Sequence, residues 1–318
     1  ITEAGSISSF VAAGTSHITN GIKMIPFFIY YSMFGFQRIG DFMWAAGDMR
    51  AKGFLIGGTA GKTTLAGEGL QHQDGHSHLI ASTVPNLKAY DPAFSYEIAV
   101  IIHEGLKRMY IDNDDIFYYL TIENENYVHP EMPEGAEEGI IKGMYKFKKS
   151  EKKGGKCVQL LASGAIVNEA VEASKLLKED WNINSDIWCV TSYSELHKEA
   201  EDIERWNNLH PESNERKSYL TNCLDKKAPV IAVSDYVKLV AEQISAYVKS
   251  PFIALGTDGF GRSDTRKNLR DFFEINRYYI TITAIKSLVK EGEMKKEVLS
   301  KAIGKYNINP DKINPLKI

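Results

Sequence analysis

The stretch from Gly67 to His78, G-E-G-L-Q-H-Q-D-G-H-S-H, gathers three histidines and an aspartate in a segment too rich in glycine for a packed helix or an interior strand. Such groups are costly to desolvate and add little to a core, so on a loop they point to chemistry. Three readings fit. His72, Asp74, His76 and His78 stand at every second residue, which in an extended segment would put nitrogen and oxygen ligands for zinc or another transition metal on one face. The same residues fit a solvated surface loop without a role. They also fit proton transfer and substrate orientation in an enzyme cleft, because an unperturbed imidazole titrates closest to neutrality.

Two glycine-rich stretches imitate nucleotide-binding loops. I-G-G-T-A-G-K-T-T has Ile56 where the phosphate-loop pattern needs its first glycine, so the expectation is a glycine-rich turn after a strand. Gly256 to Asp264, G-T-D-G-F-G-R-S-D, misses the dinucleotide spacing and reads as a structural turn, with an anion at the following helix start as the alternative. Tyr30, Tyr31, Phe34 and Phe36 cluster at the end of an apolar run. They can fill a core or stack on a heteroaromatic cofactor. Glu3 stands before an apolar helical pattern, where a role at the helix amino end explains it.

The elements that must position these groups alternate between strand-like and helical patterns. Met24–Tyr31, Phe54–Ile56, Asn86–Tyr90 and Ile116–Ile122 read as strands, with helices over Gln37–Arg50 and Tyr96–Arg108. The acidic, proline-containing segment Glu123–Gly139 has no period and marks a boundary, giving domains 1–139 and 140–318. A second alternation follows. Strands are expected at Val158–Ala162, Asp186–Val190, Pro229–Ser234 and Phe252–Leu255, and helices at Val167–Leu177, Leu196–Trp206, Tyr236–Val248 and beyond Ile275. The lysines between Lys146 and Lys156 read as a solvated connection. The fold class is α/β, two doubly wound domains with mostly parallel sheets and ligands at the carboxyl ends of the strands.

A chain of 318 residues that is 43% hydrophobic can build two cores. Its formal net charge of −3 gives no electrostatic reason to expect nucleic acid or an anionic membrane as partner. Cys157, Cys189 and Cys223 lack metal-type spacing and read as reduced, buried thiols. No apolar run is long enough to span a bilayer and no secretory signal stands at the start, so a cytoplasmic location is expected. The absence of an initiator methionine before Ile1 reads as a fragment or a processed product.

Taken in order, I-T-E-A-G, M-I-P-F-F-I-Y-Y-S-M-F-G-F-Q-R-I-G-D, G-F-L-I-G-G-T-A-G-K-T-T-L, the histidine loop, E-N-Y-V-H-P-E-M-P-E-G-A-E-E-G and L-G-T-D-G-F-G-R-S-D closely resemble the homodimeric bacterial pyruvate dehydrogenases. These are thiamine-diphosphate-dependent decarboxylating enzymes of the transketolase superfamily. The resemblance covers nearly the whole chain and implies a pyrimidine-binding middle domain followed by a transketolase-like carboxyl-terminal domain. It implies oxidative decarboxylation of pyruvate, with acetyl transfer to the lipoyl domain of a dihydrolipoyl acetyltransferase, in a homodimer.

The resemblance also carries roles. Glu3 falls on the glutamate that hydrogen-bonds the cofactor's pyrimidine nitrogen, and Tyr31 and Phe34 fall among the aromatics that pack near that ring. His72 matches the histidine implicated in substrate handling and acetyl transfer, and Asp74 and His78 match positions near substrate. The family's G-D-G motif, which binds the diphosphate through Mg, does not occur here. Thiamine diphosphate and magnesium would therefore need a further domain, and none of this chain's own residues is expected to bind metal. Another thiamine-dependent keto-acid dehydrogenase, a transketolase-like enzyme, or a carboxyl-terminal half that is chiefly a structural and dimerisation module are the competing readings.

Overall fold

A computed structural model describes residues 2–150, 155–224 and 227–318. Among the described residues the strands form two sheets. The first contains β1 (Phe27–Tyr31), β2 (Phe54–Gly58), β3 (Leu87–Tyr90) and β4 (Phe117–Ile122), in the order β1-β2-β4-β3. All its pairings are parallel, with Phe27 beside Phe54, Phe54 beside Tyr118 and Leu87 beside Phe117. The second contains β5 (Met144–Lys148), β6 (Cys157–Ala162), β7 (Asn184–Val190), β8 (Val230–Val233) and β9 (Phe252–Leu255), in the order β5-β7-β6-β8-β9. There β5 runs antiparallel to β7 and the other pairings are parallel.

Helices on both faces explain why the inner strands are continuous apolar runs rather than alternating ones. Every residue of β7 is buried. On one face of the first sheet, Leu55, Phe117 and Tyr119 pack on Ile7, Phe10 and Met43 from the helices Glu3–Gly14 and Phe36–Asp48. Its other face, with Phe54, Tyr118 and Leu120, shares one core with Val158, Leu160 and Ile231 of the second sheet and with Ile280 and Leu288 of the helix Arg277–Lys290. Local signals fix the helix ends. Thr2 caps Glu3–Gly14 by accepting the Gly5 N–H at 3.3 Å, and Asn182, in the left-handed region at φ 52°, ends Val167–Trp181.

Three expectations need correction. Of the three cysteines expected to be buried, only Cys189 is; Cys157 and Cys223 are partly exposed. Lys146 and Lys148 belong to the edge strand β5, not to a connection; Lys146 reaches Asp186 at 3.5 Å and lies 4.5 Å from the Trp188 ring. Residues 151–154 of that lysine-rich run lie outside the described residues. The helix expected over Tyr236–Val248 is a short helix, Lys238–Glu242, followed by a 3-10 turn at Ser245–Tyr247. Its start is delayed because Val237 donates its N–H to Gly75 O at 2.7 Å, and Tyr236 donates its hydroxyl to Asp91 at 3.2 Å.

The carboxyl ends of the two sheets abut. Asp91, just after β3, donates its N–H to Thr191 O after β7 at 2.7 Å, and Ser192 donates its hydroxyl to Ala89 O at 2.6 Å. Both crevices where an α/β sheet binds ligands thus open toward a common zone.

Candidate active site

Glu3, Tyr31, Phe34 and His72 come together in one half-exposed patch at the carboxyl end of β1. Tyr31 ends the strand, and a 3-10 turn, Ser32–Phe34, swings Phe34 beside it, with ring centroids 5.6 Å apart. The His72 ring approaches both edge-on, with centroids 5.6 Å from Tyr31 and 5.2 Å from Phe34. Its Nδ1 lies 3.4 Å from Glu68 Oε2. Glu3 joins through Arg38, whose Nη1 is 3.1 Å from Glu3 Oε1 and whose guanidinium carbon lies 3.8 Å from the Phe34 ring centroid. A carboxylate beside two flat rings, with an imidazole at their edge, can hold a nitrogen heterocycle and move protons near it.

Asp74 and His78 lie elsewhere, in the interior. Asp74 accepts the N–H groups of His76 at 3.0 Å and Ser77 at 2.9 Å, together with the Ser77 hydroxyl, at the start of the helix Ser77–Ala81. His78 sits in that helix with its ring against Tyr119 and Tyr236. Its Nε2 is 2.9 Å from Thr121 Oγ1; because the Thr121 hydroxyl proton goes to Asp91 at 2.6 Å, His78 donates. Burial holds the His78 imidazole below its ordinary range, with Asp91 and Asp74 pulling weakly the other way. His76 turns toward Gln37. The extended geometry that would line up four ligands is therefore not adopted, and among the described residues no group of three or more His, Cys, Asp or Glu side chains is placed to hold a metal ion.

The glycine-rich turn Gly57–Thr64 does bind an anion, but an internal one. Asp235, buried after β8, accepts the Thr63 N–H at 2.8 Å through Oδ1, and the Thr64 N–H at 2.8 Å and hydroxyl at 2.6 Å through Oδ2. A side chain at Gly61, whose φ is +85°, would collide with that carboxylate. Lys62 is buried and donates to the carbonyls of Thr257 at 2.5 Å and Gly259 at 2.7 Å, so its ammonium serves the second sheet's turn. Sequence reasoning missed Arg38, Glu68 and Asp235. Arg38 and Glu68 lie inside the motifs quoted above but were not singled out there, and Asp235 lies 172 residues from Thr63.

Comparison with known proteins decides the relationship. Residues 1–130 match the family described as pyruvate dehydrogenase E1 component middle domain, and residues 143–276 match the transketolase-like C-terminal domain. The chain is 56% identical over 318 residues to a pyruvate dehydrogenase E1 component of Pseudomonas aeruginosa. The chain is similar to the middle and carboxyl-terminal parts of pyruvate dehydrogenase E1 components. It is likewise 54% identical over 317 residues to the E1 component of Escherichia coli, and in both cases 99% of the chain aligns but only 36% of the relative's length is spanned. The fold is shared with transketolases: one from Campylobacter jejuni superposes with a TM-score of 0.64 at 19% identity, covering 87% of this chain and 38% of its own. A split-gene transketolase described as an inactive beta4 tetramer gives 0.63 at 14% identity, covering 91% of this chain and 82% of its own. No described helix is long and apolar enough to cross a membrane.

Proposed function

We propose that this chain is the pyrimidine-side and carboxyl-terminal part of a pyruvate dehydrogenase E1, which decarboxylates pyruvate and passes the acetyl group to a lipoyl domain of a dihydrolipoyl acetyltransferase in the cytoplasm. The observation that carries this reading is the convergence of Glu3, Tyr31, Phe34 and His72 on one patch, in a chain more than half identical to E1 components. When bound, thiamine diphosphate supplies the electron sink for loss of carbon dioxide. Glu3 offers its carboxyl group to the pyrimidine ring nitrogen, exchanging its Arg38 partner for the heterocycle. Tyr31 and Phe34 form flat apolar walls for that ring and exclude water from it. His72, at the edge of the walls, faces substrate and carries protons for acetyl transfer, with Glu68 Oε2 3.4 Å from its Nδ1.

Asp74 and His78 are assigned a supporting role near substrate, through the helix Ser77–Ala81 that follows the loop. A division at 139/140 is proposed, within the helix Glu137–Lys142 between β4 and β5, and β1 is an edge strand whose outward residues Phe27, Ile29 and Tyr31 are 47%, 71% and 44% exposed. An apolar strand face of this kind supports a partner surface, here the second subunit of a homodimer. Diphosphate and magnesium are assigned to a part of the longer relatives that this chain does not span. The experiment is complementation. The chain alone should show negligible thiamine-dependent pyruvate decarboxylation, and combined with the amino-terminal part of a relative it should gain it. Decarboxylation by the chain alone, or none in any combination that binds cofactor, would overturn the reading.

A further inference from the structure

The loop that carries His72 is tied to the segments that follow strands β8 and β9. Its glycines Gly67 and Gly69 adopt φ values of +84° and +72°, and so flexible a segment loses much entropy on ordering. It therefore needs anchors, and the turn Gly256–Asp264 provides them. Gly67 donates its N–H to Asp264 O at 3.0 Å and accepts the Ser263 hydroxyl at 2.9 Å. Gln73, which is buried and next to His72, accepts the Arg262 N–H at 2.7 Å and donates to Leu65 O at 2.8 Å, tying the two arms of the loop to that turn. Upstream, Asp235 satisfies the two N–H groups of Thr63 and Thr64 that lead into the loop. Without it these buried donors would be orphaned, and the turn would have no reason to keep its shape.

We propose that Gln73 and Asp235 are positioning residues for His72, so that the turn after β9 and Asp235 after β8 set the geometry of the histidine on the first half of the chain. The consequence for catalysis rests on the reading of His72 as substrate-facing; the placement itself does not. The test therefore uses the chain as it is, labelled with ring-carbon-13 histidine, with the His72 resonance assigned by His72→Gln. In the wild-type chain the rings of Tyr31 and Phe34, 5.6 Å and 5.2 Å from the imidazole, should displace that resonance from the position of a free imidazole. Gln73→Ala and Asp235→Ala should each lose the displacement, while the resonance of His103, exposed on the helix Ser95–Tyr110, stays in place. If Asp235→Ala fails to fold, Gln73→Ala, which alters the loop anchor alone, carries the test. A folded variant whose His72 resonance keeps its displacement overturns the proposal, and so does an equal movement of His103, which would report general loosening. Loss of the His72 displacement in a chain that cannot be complemented to activity would leave the placement standing and remove only its catalytic meaning.

Discussion

Arg38 pairs with Glu3 at 3.1 Å, yet the two side chains are 53% and 32% exposed. A surface pair of this kind is worth roughly 0–1 kcal/mol. Water and salt screen the attraction, so the guanidinium holds the carboxylate loosely and yields it to a competing partner. Arg38→Gln should therefore shift the melting temperature by no more than about 2–3 °C. On the proposed reading of Glu3, cofactor affinity in a complemented enzyme should be unchanged or higher, because Glu3 would no longer have to give up a partner. Titration showing affinity reduced by ten-fold or more would mean that Arg38 contacts the ligand directly.

Glu97 gives the chain a pH dependence of known sign. It is fully buried at the start of the helix Ser95–Tyr110, accepting the N–H groups of Ala93 and Phe94 and the Tyr145 hydroxyl at 2.6 Å. Burial outweighs these donors and pushes its carboxyl up to about 7. With the folded value above the unfolded one, the stabilisation is complete below the unfolded range near 4.5 and is lost as pH rises through the folded value near 7. The loss amounts to roughly 3 kcal/mol at most. Denaturant unfolding between pH 5 and 8 should show this fall in the wild-type chain and a flatter profile in Glu97→Gln. Parallel profiles for the two would place the titrating group elsewhere.

Much of the fold was legible because parallel strands must be apolar on both faces: Phe54-Leu55-Ile56 and Val158–Ala162 announce themselves by composition. The edge strand β5 was not, since Lys146 and Lys148 alternate with apolar neighbours in a lysine run, and the Trp188 ring and the buried Asp186 beside Lys146 show why a lysine belongs there. The helical period after Tyr236 was real, but bonds to Gly75 and Asp91 of the other sheet override it over the first residues. Glu3, Tyr31, Phe34 and His72 were recognisable by residue type and family resemblance. Glu3 joins the three rings through Arg38, and the loop's anchorage depends in part on Asp235. Neither contact leaves a trace in local sequence, because both join segments distant along the chain.

Gly164 is a sensitive point between the sheets. Its φ is +52°, and a Cβ there would lie 2.5 Å from Glu123 Oε1 and 3.1 Å from Asp91 Oδ2. Both of those oxygens are buried without a hydrogen-bond partner, and Glu123 is held well above the ordinary carboxylate range by burial and by Asp91 and Asp235. Gly164→Ala adds backbone strain of about 1–3 kcal/mol before any collision is counted. Chemical denaturation should show at least that loss. Replacing Glu123 by Gln in the same chain should not restore it, since the strain lies in the backbone. Unchanged stability in Gly164→Ala would mean that the turn relaxes freely.

Glu3 and Thr2 separate chemistry from helix capping. Thr2 supplies the cap, its hydroxyl accepting the Gly5 N–H at 3.3 Å, while Glu3 stands in the first turn with its carboxylate on Arg38. Thr2→Ala should cost about 1 kcal/mol of stability and leave the chemistry intact in a complemented enzyme. Glu3→Gln removes a charge near the helix amino end, worth about 0.3–1 kcal/mol, and a weak surface pair, so its melting temperature should fall only slightly. If the carboxyl group moves the proton on which cofactor activation depends, the same change should lower the decarboxylation rate by orders of magnitude. Hydrogen–deuterium exchange at the thiazolium carbon of bound cofactor reads that step directly and can be compared with thermal unfolding of both variants. Exchange in Glu3→Gln at the wild-type rate would leave Glu3 as a residue of the helix amino end and would move the search for the activating acid to another side chain.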